Sequence, residues 1–241
     1  MIASLEGVVI KSFRYGETSK IAHVYTREKG MQSIMIKGAL SAKNNKASML
    51  QPMTHIGLVV YQKNQEQSLL LLKEIQINTV YHAIGVDFTK NAIALFCSEL
   101  LYKTLKEQAS NEALFDFVVT SMRQLDMAKT NVANHHLYFI SELSNYLGIG
   151  IASSSLNFPY YFDYIESEFT LTLPLHGDFL KPDQATLLNK MLVENENPQG
   201  FQPTNAERRT LLEMMIIYYR HHVNDFGKLH SWDVLQVLFT N

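Results

Sequence analysis

The residues with the clearest chemistry are the lysines and arginines of the N-terminal third, which alternate with aromatic residues. Residues 1–80 contain ten Lys and Arg against five Asp and Glu, a net charge of +5. Residues 81–241 contain eleven against eighteen, a net charge of −7. Cations in a row neutralise the phosphates of a nucleic-acid backbone, and aromatic rings stack on unpaired bases. The asymmetry therefore favours a polyanionic ligand for the N-terminal third, with solvated surface charge as the alternative.

Nine residues of this region are the candidate contacts to a nucleic acid. They are Lys11, Arg14, Tyr15, Lys20, Arg27, Lys29, Lys37, Lys43 and Lys46. Two of them lie in a polar stretch, residues 41–48, which we expect to be a mobile loop able to close over a bound strand. Tyr15 lies in a turn and is the candidate for base stacking, whereas Phe13 and Tyr25 are expected in the core.

Five short segments of the first 80 residues have the alternating or β-branched pattern of strands. The predicted strands cover residues 7–14, 19–26, 31–37, 56–61 and 69–77. Glycines and polar residues separate them, as is usual in turns and loops. Five short strands with one long basic loop fit a small closed barrel of the OB type. We therefore expect an OB-fold nucleic-acid-binding domain over residues 1–79.

The pattern changes at about residue 80 to apolar residues at three- and four-residue steps, which indicates helices. Helices are predicted over about residues 87–108, 111–125, 131–147, 183–194, 204–223 and 231–239. Thr204 and Glu207 have the spacing of a capping box, which marks a helix start. Residues 148–182 break the helical pattern with Gly, Ser and Pro, and residues 160–164 and 169–173 are expected to form a short hairpin there.

These elements predict an α+β chain with more than one domain. The five-stranded OB-fold β-barrel comes first, and a mostly α-helical C-terminal domain follows over residues 80–241. The irregular segment at about 148–182 is expected to be a hairpin-like insertion in the helical domain. We find no internal repeat in the sequence.

Composition also restricts the compartment in which the chain is expected to work. Cys97 is the single cysteine, so a disulfide within the chain is excluded, and its apolar helical surroundings predict a buried, inert thiol. The N-terminus lacks the basic start and long apolar run of a signal peptide, and no stretch has the roughly 20 apolar residues of a membrane span. We therefore expect a cytoplasmic protein without a membrane partner.

Signals of enzymes and metal sites are weak, and we expect no catalytic residue, no cofactor and no metal. The sequence has no Gly-x-Ser-x-Gly, Gly-x-Gly-x-x-Gly or Gly-Lys-Ser/Thr motif. His135–His136 and His221–His222 are adjacent pairs, and neighbours on a helix point about 100° apart, so neither pair chelates one metal. One polar group leaves a metal-dependent hydrolase open as an alternative. It consists of Asp163, Glu166, Glu168 and His176.

The order of strands and turns at the N-terminus resembles the RecO family. The resemblance rests on residues 8–21, with the turn Tyr15-Gly16-Glu17, on residues 24–30, and on the strand end Met35-Ile36-Lys37-Gly38-Ala39. Residues 218–235 look like the last two helices of the same family. The resemblance thus touches both ends of the chain.

This resemblance implies a non-enzymatic DNA repair protein that mediates homologous recombination. It implies binding of single-stranded and duplex DNA, strand annealing, and recombinase loading onto strands covered by single-strand binding protein. The partners it implies are RecR and the C-terminal tail of single-strand binding protein, and the protein would be nucleoid-associated when bound to DNA. A protein-interaction adaptor with weak DNA binding is the alternative function.

One departure from the family concerns zinc. Many relatives carry a four-cysteine zinc site after the third helix of the helical domain, but this sequence has no cysteine there. Structural zinc usually needs several thiolates or imidazoles, so the chain looks like a metal-free branch. We expect aromatic packing to take the place of the metal. The residues concerned are Phe158, Tyr160, Tyr161, Phe162 and Phe169.

The implied partner tail is acidic and ends in an apolar residue, so its pocket needs a basic group beside an apolar cleft. Four arginines are the candidates for that basic group. They are Arg123, Arg208, Arg209 and Arg220. Arg208 and Arg209 directly follow the capping box, and we expect both to face solvent.

Overall fold

The computed structural model describes residues 1–41, 45–62, 69–105, 109–155, 160–194 and 202–238. The chain divides into two compact units, Met1–Met127 and Ala128–Asn241. The barrel and the first two helices belong to the first unit. The first compact unit runs to Met127 and so includes these two helices, whereas the sequence predicted a domain boundary at residue 79 or 80. That boundary stays a prediction.

Five strands of the first unit close into a barrel, which confirms the predicted OB-like fold. They are β1 (Ile2–Tyr15), β2 (Ser19–Thr26), β3 (Gly30–Ile36), β4 (His55–Tyr61) and β5 (Leu69–Ile77). Their order around the barrel is β1-β2-β3-β5-β4. All neighbours are antiparallel except β3 and β5, which pair in parallel.

Strand β1 begins at Ile2, so the start predicted at residue 7 was too late. Its first residues pair with β4, from Ile2 opposite Tyr61 to Val8 opposite His55. This long-range pairing closes the barrel and stabilises a segment whose own sequence is a weak strand signal. A bulge between Val9 and Lys11 then turns the strand towards β2 alone.

Apolar residues from all five strands fill the barrel. The buried set comprises Leu5, Val9, Ala22, Val24, Ile34, Ile36, Ile56, Leu58, Val60, Leu70 and Leu72. Tyr25 is fully buried as predicted, but on the outer face, where its ring lies 6.2 Å from that of Phe115. Phe13 is 40% exposed, so its predicted place in the core was wrong.

The polar stretch expected to be a mobile loop is structured from residue 45 onwards. A short 3-10 helix covers Asn45–Leu50, and Leu50 is buried in the barrel core. The Ser12 hydroxyl donates to the Leu50 carbonyl at 3.0 Å, which ties this helix to β1. Residues 42–44, with Lys43, lie outside the described residues.

Two helices cover the outside of the barrel. Helix α1 spans Phe88–Thr104 and α2 spans Glu112–Met127. Asp87 caps α1 and Asn111 caps α2, each accepting a backbone N–H at 3.0 Å. Phe88, the first residue of α1, is 70% exposed. The last helical residue is Thr104 and Leu105 is the C-cap, whereas the sequence predicted an end near residue 108, which lies outside the described residues.

The second unit contains four helices and a three-stranded sheet in its described part. The helices are α3 (His135–Tyr146), α4 (Pro182–Glu194), α5 (Asn205–His222) and α6 (His230–Leu238). The Thr204–Glu207 capping box is present at the start of α5 and confirms that prediction. Helix α3 starts later than predicted, because Val132–Asn134 forms a 3-10 turn.

The predicted hairpin is present as β6 (Tyr161–Asp163) and β7 (Glu168–Thr170), and β8 (Phe179–Leu180) pairs with the other edge of β6. This third strand was not predicted, since two residues carry no alternation. Phe162 is fully buried, with its ring 4.9 Å from that of Phe169. The aromatic packing expected in place of zinc is thus present, and Phe158 lies outside the described residues.

Candidate nucleic-acid interface

Three cations lie across adjacent strands where the β1–β2 hairpin turns. Arg14 is directly opposite Lys20, and Lys20 is opposite Ile36, which precedes Lys37. Arg14 and Lys37 are exposed and Lys20 is half-buried. We call Arg14, Lys20 and Lys37 the tip cations. Their proximity puts three positive charges at one end of the barrel.

Arg14 is held by the turn that it precedes. Its Nε donates to the Gly16 carbonyl and its Nη2 donates to the Glu17 carbonyl, both at 3.0 Å. Gly16 has a φ of +67°, which a residue with a Cβ adopts only with strain. Because a guanidinium has five N–H donors, the two bonds orient the group and leave donors for a phosphate.

The face of β1 opposite Arg14 carries Lys11, Phe13 and Tyr15 in alternation. Tyr15 is the last residue of β1 and not a turn residue as predicted, and it is 53% exposed. Lys11 lies opposite His23, and its Nζ lies 5.0 Å from the centre of the Tyr102 ring on α1. Aromatic and basic side chains therefore share this face.

His23 lies between the rings of this face. Its ring centre is 5.6 Å from those of Phe13 and Tyr102, and its Nδ1 is 3.1 Å from the Ser33 hydroxyl. Burial, and then the charge of Lys11, lower the pKa of His23 below its ordinary value. The imidazole is therefore neutral at neutral pH.

Arg27 lies at the opposite end of the barrel and is bound within the protein. It is seven residues from Lys20 along β2, or about 23 Å. Its Nε donates to Glu6 at 2.8 Å, its Nη2 donates to Asp116, and its guanidinium lies 4.6 Å from the Phe115 ring centre. Arg27 therefore has a structural role in this arrangement.

Lys29 also lies apart from the tip cations, at the opposite end of β3 from Lys37. The Nζ of Lys29 donates to the Gln62 side chain at 2.6 Å, near the start of β3. Lys46 is half-buried on the 3-10 helix, and Lys43 lies outside the described residues. The structure thus brings together Lys11, Tyr15 and the tip cations, and separates Arg27 and Lys29 from them.

His23 and Tyr102 join this surface although the sequence did not suggest them. Tyr102 is 91 residues from Lys11 and reaches it only because α1 packs against β1. Alternation along β2 predicts the face on which His23 lies. The sequence does not show which aromatic rings will lie beside it. Register and helix packing, which are long-range properties, bring these rings together.

In the second unit, a cavity of about 280 Å³ lies beside the start of α5 and α6. Arg208 and Arg209 line it together with Trp232, Leu235 and Ala206. It therefore combines basic groups with an apolar wall, as the candidate partner pocket requires. The other two candidates lie elsewhere. Arg123 is on α2 in the first unit, and Arg220 is exposed near the end of α5, about 18 Å from Arg208.

Arg208 is only 8% exposed, so the expectation that it faces solvent was wrong. It donates to Asn134 Oδ1 at 2.9 Å, to Asn205 Oδ1 at 2.6 Å and to the Pro203 carbonyl at 3.2 Å. Burial lowers the pKa of its guanidinium. Arg209 does face solvent and lies 3.8 Å from Glu213.

The acidic group considered for a hydrolase has a structural arrangement. Asp163 accepts the backbone N–H groups of Ile165 and Glu166 and lies 3.0 Å from His176 Nε2. Burial raises the pKa of Asp163, but these hydrogen bonds outweigh it and lower the value overall. In the part of the chain that the structure describes, no three His, Cys, Asp or Glu side chains are grouped to hold a metal.

Three residues of the helices that the sequence analysis singled out, Cys97, His135 and His136, are buried. Cys97 is fully buried, which confirms the prediction of a buried thiol, and burial raises the pKa of its thiol. His135 and His136 are also buried, with pKa values lowered by burial to about 4 and about 3. None of the described helices is both long and apolar enough to span a membrane.

Comparison with known proteins gives the family. The description "Recombination protein O N terminal" matches residues 1–81, and "Recombination protein O C terminal" matches residues 85–233. The chain is 33% identical to a DNA repair protein RecO of Phocaeicola vulgatus, with all of both chains covered. It is 35% identical to one of Bacteroides fragilis, over 99% of this chain and all of the relative. The chain therefore belongs to the RecO family of DNA repair proteins.

Proposed function

We propose that the chain mediates homologous recombination by binding single-stranded and duplex DNA at the hairpin end of its barrel. In this proposal it anneals strands and helps to load recombinase onto strands covered by single-strand binding protein. Membership of the RecO family supports a role in DNA repair. The finer steps rest on the charge and ring arrangement of the first unit.

The observation that carries the proposal is the row of tip cations across three neighbouring strands. Beyond Val8, β1 has only β2 as a strand neighbour among the described residues. The 3-10 helix and α1 pack against parts of β1, but residues 13–18 at the hairpin end are exposed, so the strand edge there is open to a ligand chain. A phosphate backbone along this edge would meet Arg14 and Lys20, while its bases would meet the rings of the other face.

Salt-dependent binding to a homopolymer tests this proposal. Fluorescence anisotropy of labelled oligo-dT, between about 50 and 200 mM salt, should give an affinity that falls steeply with salt, because phosphate contacts release counterions. A labelled duplex of mixed sequence should bind with a similar salt dependence. Undetectable binding to both DNAs at low salt would contradict the proposal.

A second candidate function, a protein-interaction adaptor, is favoured by the cavity in the second unit. Arg208 and Arg209 could pair with carboxylates, and Trp232 and Leu235 could contact a terminal apolar side chain. We propose that the cavity receives the acidic tail of single-strand binding protein. The two functions are compatible, and the adaptor alone would bind the tail without retaining DNA.

Trp232 reports on this cavity, since it is the only tryptophan of the chain. Adding an acidic peptide that ends in Phe should change the tryptophan emission in a saturable way. Arg209→Ala should weaken the response, whereas Arg220→Ala is the control on the same helix. An unchanged emission in the wild-type chain would contradict the tail site. The partnership with RecR is tested separately by co-elution of the two full-length proteins.

A further inference from the structure

Phe13, His23 and Tyr102 form a row of three rings on the outer face of the hairpin. Each neighbouring pair has a centre-to-centre distance of 5.6 Å. The three residues come from β1, β2 and α1, so the row joins a hairpin to the end of a helix. We call this row, with Tyr15 beyond Phe13 on the same strand face, the ring platform.

The platform is an open surface at its outer end. Phe13 is 40% exposed and Tyr15 is 53% exposed. Exposed large rings are costly to leave in water when they adjoin each other, and such groups commonly mark a binding surface. On the other side of the row, Lys11 lies over the Tyr102 ring, which places a cation at the inner end of the platform.

From this arrangement we infer that the ring platform stacks on unpaired bases and makes the protein bind single strands more tightly than duplexes. The inference deepens the proposed DNA binding and rests on it. In a duplex the base faces are covered by their neighbours, so that rings at the protein surface cannot stack on them. A single strand exposes its bases, and aromatic side chains bind them without regard to sequence.

The tip cations and the ring platform then have different roles. The tip cations contact phosphates, which both forms of DNA possess, whereas the platform contacts base faces, which only the single strand offers. Consecutive residues Phe13 and Arg14 point to opposite faces of β1, so one strand crossing the hairpin edge meets a ring and a cation in succession. Duplex and single strand thus share the cations but not the rings.

The surroundings favour DNA over a protein as the ligand of the platform. Lys11 is exposed beside the rings, and Arg14 follows Phe13 directly in β1. A protein contact of apolar type usually has few charged residues at its centre. The platform instead has a cation at one end and a row of cations beyond its edge.

The test compares ring deletions for their effect on single strands and duplexes. Phe13→Ala and Tyr102→Ala should each weaken oligo-dT binding about tenfold, a typical effect of losing one stacked base. Duplex affinity should change less than twofold in the same variants. Tyr102→Phe retains the ring and should bind oligo-dT as the wild-type chain does.

Tyr61→Ala is the matched control, because Tyr61 is 44% exposed on β4 and is not part of the platform. Thermal unfolding of each variant shows whether the barrel is intact, and an oligonucleotide containing 2-aminopurine reports stacking directly. Quenching of 2-aminopurine by the wild-type chain and its loss in Tyr102→Ala, but not in Tyr61→Ala, would support the platform.

The outcomes separate this inference from the proposed function. If the wild-type chain binds neither DNA, the proposed function fails and the inference with it. If the wild-type chain binds DNA but the ring deletions leave oligo-dT affinity unchanged, or weaken both DNAs equally, only the platform is overturned. A loss of RecR co-elution with unchanged DNA affinity would also overturn it, in favour of a protein contact.

Discussion

The Nε of Arg27 lies 2.8 Å from Oε2 of Glu6, so a cation expected at the DNA surface joins β2 to β1 instead. Its Nη2 also pairs with Asp116 of α2, and these two carboxylates raise the pKa of the guanidinium. Arg27 is therefore part of an ion-pair network that connects the barrel to a helix of the same unit. Arg14 has no such carboxylate among its described contacts, since both its bonds go to turn carbonyls.

The first prediction follows from this difference between two arginines of the barrel. Arg27→Ala should lower the free energy of unfolding by about 1–3 kcal/mol, because it leaves Glu6 without its cation in a partly buried place. Its affinity for oligo-dT should change less than twofold. Arg14→Ala should do the opposite, with weaker DNA binding and a change in stability below about 0.5 kcal/mol. Chemical denaturation and anisotropy measure both quantities, and a fall in DNA affinity for a stable Arg27→Ala would contradict the assignment.

The second prediction concerns the stability of the folded chain at acidic pH. Burial lowers the pKa values of His135 and His136 to about 4 and about 3, whereas the unfolded chain has histidines near pKa 6.5. Below about pH 6.5 the unfolded state binds protons that the folded state does not, so stability is lost as the pH falls from there towards 4. Each unit by which a histidine pKa differs between the folded and unfolded states corresponds to about 1.4 kcal/mol in the free energy of unfolding.

Urea denaturation of the full chain at several pH values between about 7.5 and 4.5 measures this dependence. His135→Gln removes one buried imidazole. The free energy of unfolding of this variant should therefore fall less steeply with decreasing pH, whatever its stability at neutral pH. His230→Gln is the control, because His230 is exposed at the start of α6. Equal pH slopes in the wild-type chain and His135→Gln would show that this histidine does not titrate with folding.

The third prediction separates two adjacent arginines of α5. Arg208→Ala should destabilise the second unit by about 2–4 kcal/mol, because it removes a buried guanidinium and its hydrogen bonds to Asn134, Asn205 and the Pro203 carbonyl. Arg209→Ala removes an exposed side chain and should change stability by less than about 0.5 kcal/mol. Thermal unfolding followed by circular dichroism checks both. Equal stability of the two variants would mean that the buried hydrogen bonds of Arg208 contribute little.

Alternation and turn residues were enough to predict all five barrel strands, because each strand buries every second residue in a common core. The capping box at Thr204 was equally local, since both its bonds lie within four residues. The early start of β1 was missed because Ile2–Glu6 becomes a strand only by pairing with β4. Closure of a barrel is a property of distant segments.

The candidate site was predictable in part for the same reason. Local sequence placed Arg14 at the end of a strand, and the structure has it there, but Tyr15 is the last residue of that strand and not part of the turn as predicted. That Arg27 pairs with Glu6 and Asp116 could not be predicted, because the partners are 21 and 89 residues away. Burial of Arg208 was missed because its acceptors include Asn134, which is 74 residues distant. A cation's role depends on such partners more than on its neighbours in sequence.

The central claim is that the tip cations bind phosphates, and the salt dependence of oligo-dT affinity tests it most directly. Each phosphate contact on a single strand contributes about 0.7 to the slope of log affinity against log salt. The triple variant Arg14→Ala, Lys20→Ala, Lys37→Ala should therefore reduce the magnitude of the slope by about 2. The variant Lys129→Ala, Lys181→Ala, Lys190→Ala removes three exposed cations of the second unit and should keep the wild-type slope. Equal slopes in the tip variant and the wild-type chain, with both folded, would contradict the claim.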